Sequence, residues 1–236
     1  MAESTSAASE PRQPFDIERV TDAALRLAAL RDWEQVSLLD IAKEADVSLV
    51  DLYKHAHTKQ EILAAFTRRV DEAVLAERDA EAEGELGELA RDRLFDALML
   101  RFDHLQPYRD GLKSVLKTYR RDPVLAVGGL CDLRRSMACM LEAADLSSSG
   151  LRGRLRRDGL TGIYLATLRV WLEDGSPDMA KTMAALDGYL RRIERPVSVM
   201  EGLSAPRFSR AGRGDRAGRG PEEGPEADPV NAPPPL

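Results

Sequence analysis

A chain of 236 residues that is 43% hydrophobic and 31% charged can bury a core, and is neither a disordered nor a bilayer protein by composition. Its net charge of −6 does not announce a nucleic-acid partner, and residues 16 to 59 hold six Lys/Arg against nine Asp/Glu, a net of −3. Aromatics are scarce at 5% while Ala, Leu, Arg and Glu dominate, which favours helix over strand. No stretch approaches the roughly 20 apolar residues needed to span a bilayer.

Residues 1–14 carry no apolar h-region and read as a disordered leader of a cytoplasmic protein. The first helix is expected over Asp16 to Leu30, with Ile17, Val20, Ala24, Leu27 and Ala28 on one buried stripe. Arg31-Asp32-Trp33 breaks it. Three starts follow with the S/T-x-x-D/E capping pattern: Ser37 to Asp40, Ser48 to Asp51, and Thr58 to Glu61. They open helices over Leu38 to Ala45, Leu49 to Ala56, and Lys59 to about Ala80. A tight break at Asp46-Val47 between two short helices is the helix-turn-helix arrangement. Ile41, Ala42, Ala45, Val47, Leu52 and Ala56 would then face inward, leaving Leu49, Val50, Tyr53, Lys54 and His57 outward.

The remainder reads as one helical body. Helices are expected over Leu86 to Leu105, Tyr108 to Tyr119, Pro123 to about Ala144, Arg152 to Glu173, and Asp178 to Arg195, the last entered through Asp174-Gly-Ser-Pro177. From Pro196 onward the chain holds eight of its thirteen prolines and an Arg/Gly run at 210–220, and reads as a disordered tail. The fold class is therefore all-α, divided as leader 1–14, helix-turn-helix head 15–66, body 67–195 and tail 196–236. Cys131 and Cys139, in one apolar segment, read as buried small hydrophobes in a reducing compartment. His55, His57 and His104 give no metal spacing, no Gly-rich loop follows a strand, and neither cysteine has a neighbouring base. No catalysis, metal or cofactor is expected.

Residues 17 to 66 resemble the N-terminal domain of TetR-type transcriptional regulators. The resemblance rests on Ala23-Ala24-Leu25, Ser37 to Ala42, Val47-Ser48, Leu52-Tyr53-Lys54-His55 and Lys59, with spacing and residue types in agreement. It implies a double-stranded DNA operator as partner. Tyr53, His55 and Lys59 would contact phosphates, and Leu49, Val50 and Lys54 would face base edges, with Ser37 and Ser48 completing the DNA-binding set. Leu49 stands where that family often has a polar reader, and Ala56-His57 where it commonly has Phe-Pro.

A second resemblance lies in the C-terminal half. Arg156-Arg157 to Leu190, with Ile163-Tyr164, Thr167, Asp174-Gly-Ser-Pro-Asp178, Thr182 and Leu186, is similar to the coenzyme Q assembly factors that bind isoprenoid lipid. The terminal membrane helix of those factors has no counterpart here, so no stable membrane insertion is expected. Both resemblances imply a small apolar ligand, isoprenoid or quinone-like, held by Phe95, Met99, Phe102, Met137, Met140, Tyr164, Leu168 and Trp171. The last two helices are apolar on more than one face. They are expected to meet their copies as a four-helix bundle in a homodimer, through Leu160, Ile163, Thr167, Met183, Leu186 and Leu190. The functional reading is a DNA-binding transcriptional regulator, a ligand-responsive repressor, in which ligand shifts the heads through the fourth helix. The competing reading is an isoprenoid-binding accessory protein of ubiquinone biosynthesis that keeps the helix-turn-helix as scaffold.

Overall fold

The computed structural model describes residues 15–81 and 89–204. The described regular elements are all helical: α1 (Ile17–Leu30), α2 (Leu38–Glu44), α3 (Leu49–His55), α4 (Lys59–Glu81), α5 (Ala90–Leu105), α6 (Arg109–Arg121), α7 (Pro123–Ala143), α8 (Gly150–Glu173) and α9 (Ala180–Ser204), with 3₁₀ turns at Trp33–Gln35 and Gln106–Tyr108. None is long and apolar enough to cross a membrane.

The head is built from local signals. Asp16 caps α1 by accepting from the Glu18 amide at 2.9 Å, and Val20, Ala24 and Ala28 are buried along one face. Of the three expected capping boxes, only the first is reciprocal. Ser37 Oγ accepts from the Asp40 amide at 3.1 Å while Asp40 accepts from the Ser37 amide at 3.0 Å. At α3 the Ser48 hydroxyl caps the Asp51 amide at 2.9 Å, but the Asp51 carboxylate takes that same hydroxyl and Lys54 rather than reaching back. At α4 the Glu61 carboxylate reaches one residue beyond Thr58, to the His57 amide at 2.9 Å. Between α2 and α3, Asp46 adopts a left-handed φ of 54°, and Val47 donates to the Ala42 carbonyl at 3.0 Å, closing α2 as a Schellman-type end.

Two helices fasten the head to the body. One is α4, which continues from the head. The other is α6, whose Gly111 lies against α1 so closely that a Cβ there would sit 2.3 Å from the Leu25 carbonyl oxygen. Farther along α6, Ser114 Oγ accepts from the Trp33 amide at 2.9 Å and donates to the Arg31 carbonyl at 3.3 Å, and Lys117 pairs with Asp32 at 2.7 Å. The segment read as a simple break after α1 is thus an ordered turn that buries Trp33.

The body packs α4, α5, α7, α8 and α9 around Phe102, Met137, Met140, Trp171 and Leu186. Its buried polar groups are joined in networks. Arg101 pairs with Asp71 and donates from Nε to the Tyr164 hydroxyl at 3.3 Å, and Ser136 donates to Asp71 at 2.6 Å. Asp174, inaccessible to solvent, accepts from the amides of Ser176 and Thr182 and from both their hydroxyls, shaping the entry to α9.

Several expectations are corrected here. The last helix does not end at Arg195 but runs past Pro196 to Ser204. The remainder of the expected tail and the leader 1–14 lie outside the described residues, as does the start expected for α5 at Leu86. Cys131 is exposed and Cys139 half-buried, both as free thiols. The expected dimer residues Leu160, Ile163, Thr167, Leu186 and Leu190 are buried within the single chain, and Met183 is half-buried. Helix α8 carries apolar residues around much of its circumference, so its periodicity alone does not say which stripe faces its own core.

Candidate nucleic-acid interface and ligand cavity

Helix α3 is seated by Leu52 and Ala56, both buried, which turns its other residues outward. Val50 is 68% and Tyr53 54% exposed, and Leu49, Lys54 and His55 are exposed with them. Four of the eight expected DNA-binding side chains are engaged with neighbours other than a simple cap. Lys54 pairs with Asp51 at 2.8 Å, one turn away on its own helix. His55 stacks on Phe15 with ring centroids 4.0 Å apart. Tyr53 meets His57 edge-on at 4.8 Å. Lys59 does not project freely: its ammonium donates to the Trp33 carbonyl at 2.6 Å and lies 4.8 Å from the Trp33 ring centroid. Burial there pushes the Lys59 ammonium down, against the opposing pull of Glu34. Ser37 and Ser48 are helix caps.

The three arginines of α1 and its end follow the same habit, while Lys43 is exposed. Arg26 pairs with Glu44 at 2.9 Å, Arg31 with Asp40 at 3.1 Å, and Arg19 donates to the Ala45 carbonyl at 2.7 Å. Exposed pairs of this kind hold by about 0–1 kcal/mol, so a phosphate can displace them at little cost. A net charge of −3 is therefore no bar to a DNA contact made by a few mobile side chains, but it offers no broad electrostatic footprint.

The body holds a cavity of about 430 Å³ whose wall is mostly carbon. Leu63 and Phe66 of α4, Leu112, Val115, Leu116 and Tyr119 of α6, Gly129, Leu130 and Leu133 of α7, and Leu168 and Leu172 of α8 line it. Its volume is that of a small-molecule site. Of the residues expected to line a pocket, Tyr164 and Leu168 do so. Phe102, Met137, Met140 and Trp171 are solid core, while Phe95 and Met99 pack against that core away from the cavity. Large apolar residues at regular helical spacing mark where helices meet; a cavity forms where they stand apart, and its wall here runs from the buried Leu63, Phe66 and Val115 to the exposed Leu130. Sequence reasoning therefore missed the cavity face of α4, α6 and the first half of α7. The signal that points to them is the Gly128-Gly129 pair inside a helix. A Cβ on Gly129 would lie 2.5 Å from the Tyr119 ring, so this glycine gives that ring its place in the wall.

Three polar groups of the cavity are tied among themselves. The Tyr119 hydroxyl donates to Gln60 Oε1 at 2.7 Å, and Gln60 Nε2 donates to Asp132 at 3.3 Å, joining α6, α4 and α7. Burial raises the Tyr119 phenol above its ordinary value. The cavity also meets Arg101 of α5, paired with Asp71, and Tyr164 of α8, whose hydroxyl accepts from Arg101. Burial pushes the Asp71 carboxyl up from the usual carboxylate range, while Arg101 and Ser136 pull against it.

Comparison with known proteins agrees with this architecture. Residues 20–66 match the family model of bacterial regulatory proteins, tetR family, and residues 129–196 match the COQ9 family. No curated protein matches the chain. Among solved structures, a TetR transcriptional regulator from Nitrosomonas europaea superposes with a TM-score of 0.61 at 26% identity, over 76% of this chain and 98% of that one. Thermus thermophilus FadR, a TetR-family repressor solved with lauroyl-CoA, gives 0.52 at 18% identity over 84% and 100%. A TetR regulator from Rhodococcus sp. RHA1 gives 0.50 at 17% over 75% and 98%. The last two speak for the fold alone. Residues 20–66 thus match the TetR family model, on a chain that has the fold of the TetR regulators.

Proposed function

We propose that this chain is a dimeric, ligand-responsive transcriptional regulator that reads operator DNA with α3 and senses a small apolar ligand in the cavity of its body. One observation carries the reading. The helices that line the cavity with Leu63, Phe66, Leu112 and Leu116, α4 and α6, are the same two that fasten the head. A ligand that parts α4 from α6 must therefore move what they hold, and the head would shift with them. The fourth helix is one route and α6 a second.

In this reading Leu49, Val50, Tyr53 and Lys54 approach the bases and backbone of one major groove, with Lys54 exchanging Asp51 for DNA. Lys59 serves first to hold the Trp33 turn against α4, so its part at the phosphates is secondary. The second copy would dock along α8 on the stripe Leu151, Leu155, Gly159 and Gly162, where Leu151 is 85% and Leu155 71% exposed and nothing stands above either glycine. Two heads related by a two-fold axis read inverted half-sites.

The test is selection from a random DNA pool at moderate salt. A sequence with two inverted half-sites is expected to be enriched, and Tyr53→Ala to abolish that enrichment while the dimer stays folded. A pool that stays random under these conditions removes the regulator reading. It would leave the second reading, a lipid-binding accessory protein of quinone synthesis, which the COQ9 match across α7, α8 and the start of α9 and the acidic head favour. That reading expects an isoprenoid or quinone that co-purifies and extracts into organic solvent.

A further inference from the structure

Each polar group bordering the 430 Å³ cavity can be asked what it already bonds. Gln60, Tyr119 and Asp132 satisfy one another, and Arg101 and Tyr164 are held with Asp71 and Ser136. Two cations of the wall are different. Arg120 of α6 and Arg169 of α8 are exposed, and neither has a hydrogen-bond or ion-pair partner among the described residues. Both also line a second space of about 380 Å³, formed with Lys113, Leu172 and Glu173. The carbon-lined cavity thus shares Arg120, Arg169 and Leu172 with a more polar vestibule between α6 and α8. Lys113 is already paired there with Asp110 at 3.2 Å, and Glu173 is the one carboxylate of the lining.

We propose that the cavity takes a single-chain amphiphile with an anionic head, its tail against the α4, α6 and α7 leucines and its head between Arg120 and Arg169 at the mouth. This rests on the ligand-cavity reading above and sharpens it to a chemical class. A neutral apolar molecule would gain the burial of its tail, at roughly 25 cal/mol per Å² of apolar surface. It would leave the two guanidiniums as they are. A carboxylate or phosphate gains the same burial and adds charge-assisted hydrogen bonds, which guanidinium forms in bidentate geometry. Glu173 opposes an anion at the same mouth, so the preference depends on both arginines together. Because the head sits near water, its contribution is screened and weakens with salt, whereas that of the tail does not.

Equilibrium dialysis of the full chain against tetradecanoate, tetradecyl phosphate and tetradecanol, each below its aggregation threshold, tests this. The two anions are expected to bind roughly tenfold or more tightly than the alcohol, as one added charged hydrogen-bonded contact provides. In the double variant Arg120→Gln, Arg169→Gln the anions should fall to the affinity of the alcohol, and the alcohol should be unchanged. Both arginines are exposed and unpaired, so the variant is expected to melt with the parent. Whichever anion binds more tightly names the head, a free carboxylate or a phosphate ester. An alcohol that binds as well as the anions, or a double variant that keeps the preference, overturns the proposal while leaving an apolar cavity in place. If none of the three binds, the ligand-cavity reading itself falls.

Discussion

Head and body keep their polar groups in opposite ways. At the helix starts of the head, bonds run between near neighbours: Ser37 with Asp40, Ser48 with Asp51, Lys54 with Asp51, His57 with Glu61. In the body, polar groups are joined out of water, Arg101 with Asp71 and Tyr164 across long stretches of chain, and Asp174 with Thr182 across the entry to α9. Short-range surface bonds are each worth little and can be traded for new ones, which suits the face proposed to meet DNA. Buried long-range networks are costly to break and fix one arrangement of helices, which suits a frame that must hold a cavity open. Four substitutions test that contrast, in falling order of expected effect.

Arg101→Leu removes the cation that compensates Asp71. A buried pair broken on one side costs about 3–5 kcal/mol, and urea denaturation at neutral pH should register a loss of that order. Burial already pushes the Asp71 carboxyl up, and without Arg101 it rises further. The protonated form is then the one the folded state accepts, so stability should return as pH falls and be lost again as pH rises through the raised value. Adding Asp71→Asn should recover much of the loss at neutral pH. A single variant with the parent's stability would mean that the network contributes nothing to the frame.

Asp174 comes second. Burial alone would raise its carboxyl, but the hydrogen bonds from Ser176 and Thr182 outweigh that and hold it well below the ordinary carboxylate range. Its stabilisation is therefore full above the unfolded value of roughly 4 and fades as pH falls through the folded one. Asp174→Ala should cost about 2 kcal/mol at neutral pH by leaving the Thr182 amide and hydroxyl unbonded. The gap between variant and parent, followed by urea midpoint, should narrow on acidification. A gap independent of pH would place the effect in packing rather than in the carboxylate.

The same contrast explains what could be read from sequence. The head was legible almost residue by residue because its rules are local: caps three residues apart, apolar residues one turn apart, and a turn between two short helices. Even there, the third link of a local chain went astray, since nothing in Thr58-Lys-Gln-Glu61 says that Glu61 will prefer the His57 amide. Helix positions in the body were legible for the same reason. Their mutual arrangement was not. Whether Leu186 faces its own chain or a second copy, and whether Met137 lines a void or fills it, depends on which helices stand apart. That is decided by long-range partners such as Gly111 on Leu25 and Gly129 on Tyr119. Lys59 is the clearest case. Its place at the start of α4 was correct, but its partner, the Trp33 carbonyl, is 26 residues away.

Ser37→Ala is the third test, on the side of the head. It removes the one reciprocal capping box, and caps of this kind are worth about 1 kcal/mol. Because α2 presents α3, the loss should be felt locally before it is felt globally. Amide exchange in α2 should rise, while the body, followed by exchange at the Thr182 amide, keeps its protection. Loss of protection in both at once would show that head and body unfold as one unit, and the contrast drawn above would then be one of chemistry without a boundary in stability.

The smallest effect is expected at Asp46. Its φ of 54° lies in the left-handed region, where a residue with a Cβ is strained by about 1 kcal/mol and glycine is not. Glycine there would relieve the strain in the folded state but also free the unfolded chain, which opposes it by up to about 1 kcal/mol. The two terms nearly cancel, and aspartate is among the residues that tolerate this conformation best. Asp46→Gly should therefore change stability by less than about 0.5 kcal/mol. Its effect on DNA should be the larger one, since it takes one of nine carboxylates from residues 16 to 59 and moves that segment from −3 to −2. Asp46 is exposed at the turn that leads into α3, so its charge acts on the duplex through water and falls off with salt. The expected outcome is tighter binding to the selected operator at low salt, with the difference closing as salt rises. Tighter binding that persists at high salt would mean that the turn itself, and not its charge, holds α3 short of the groove.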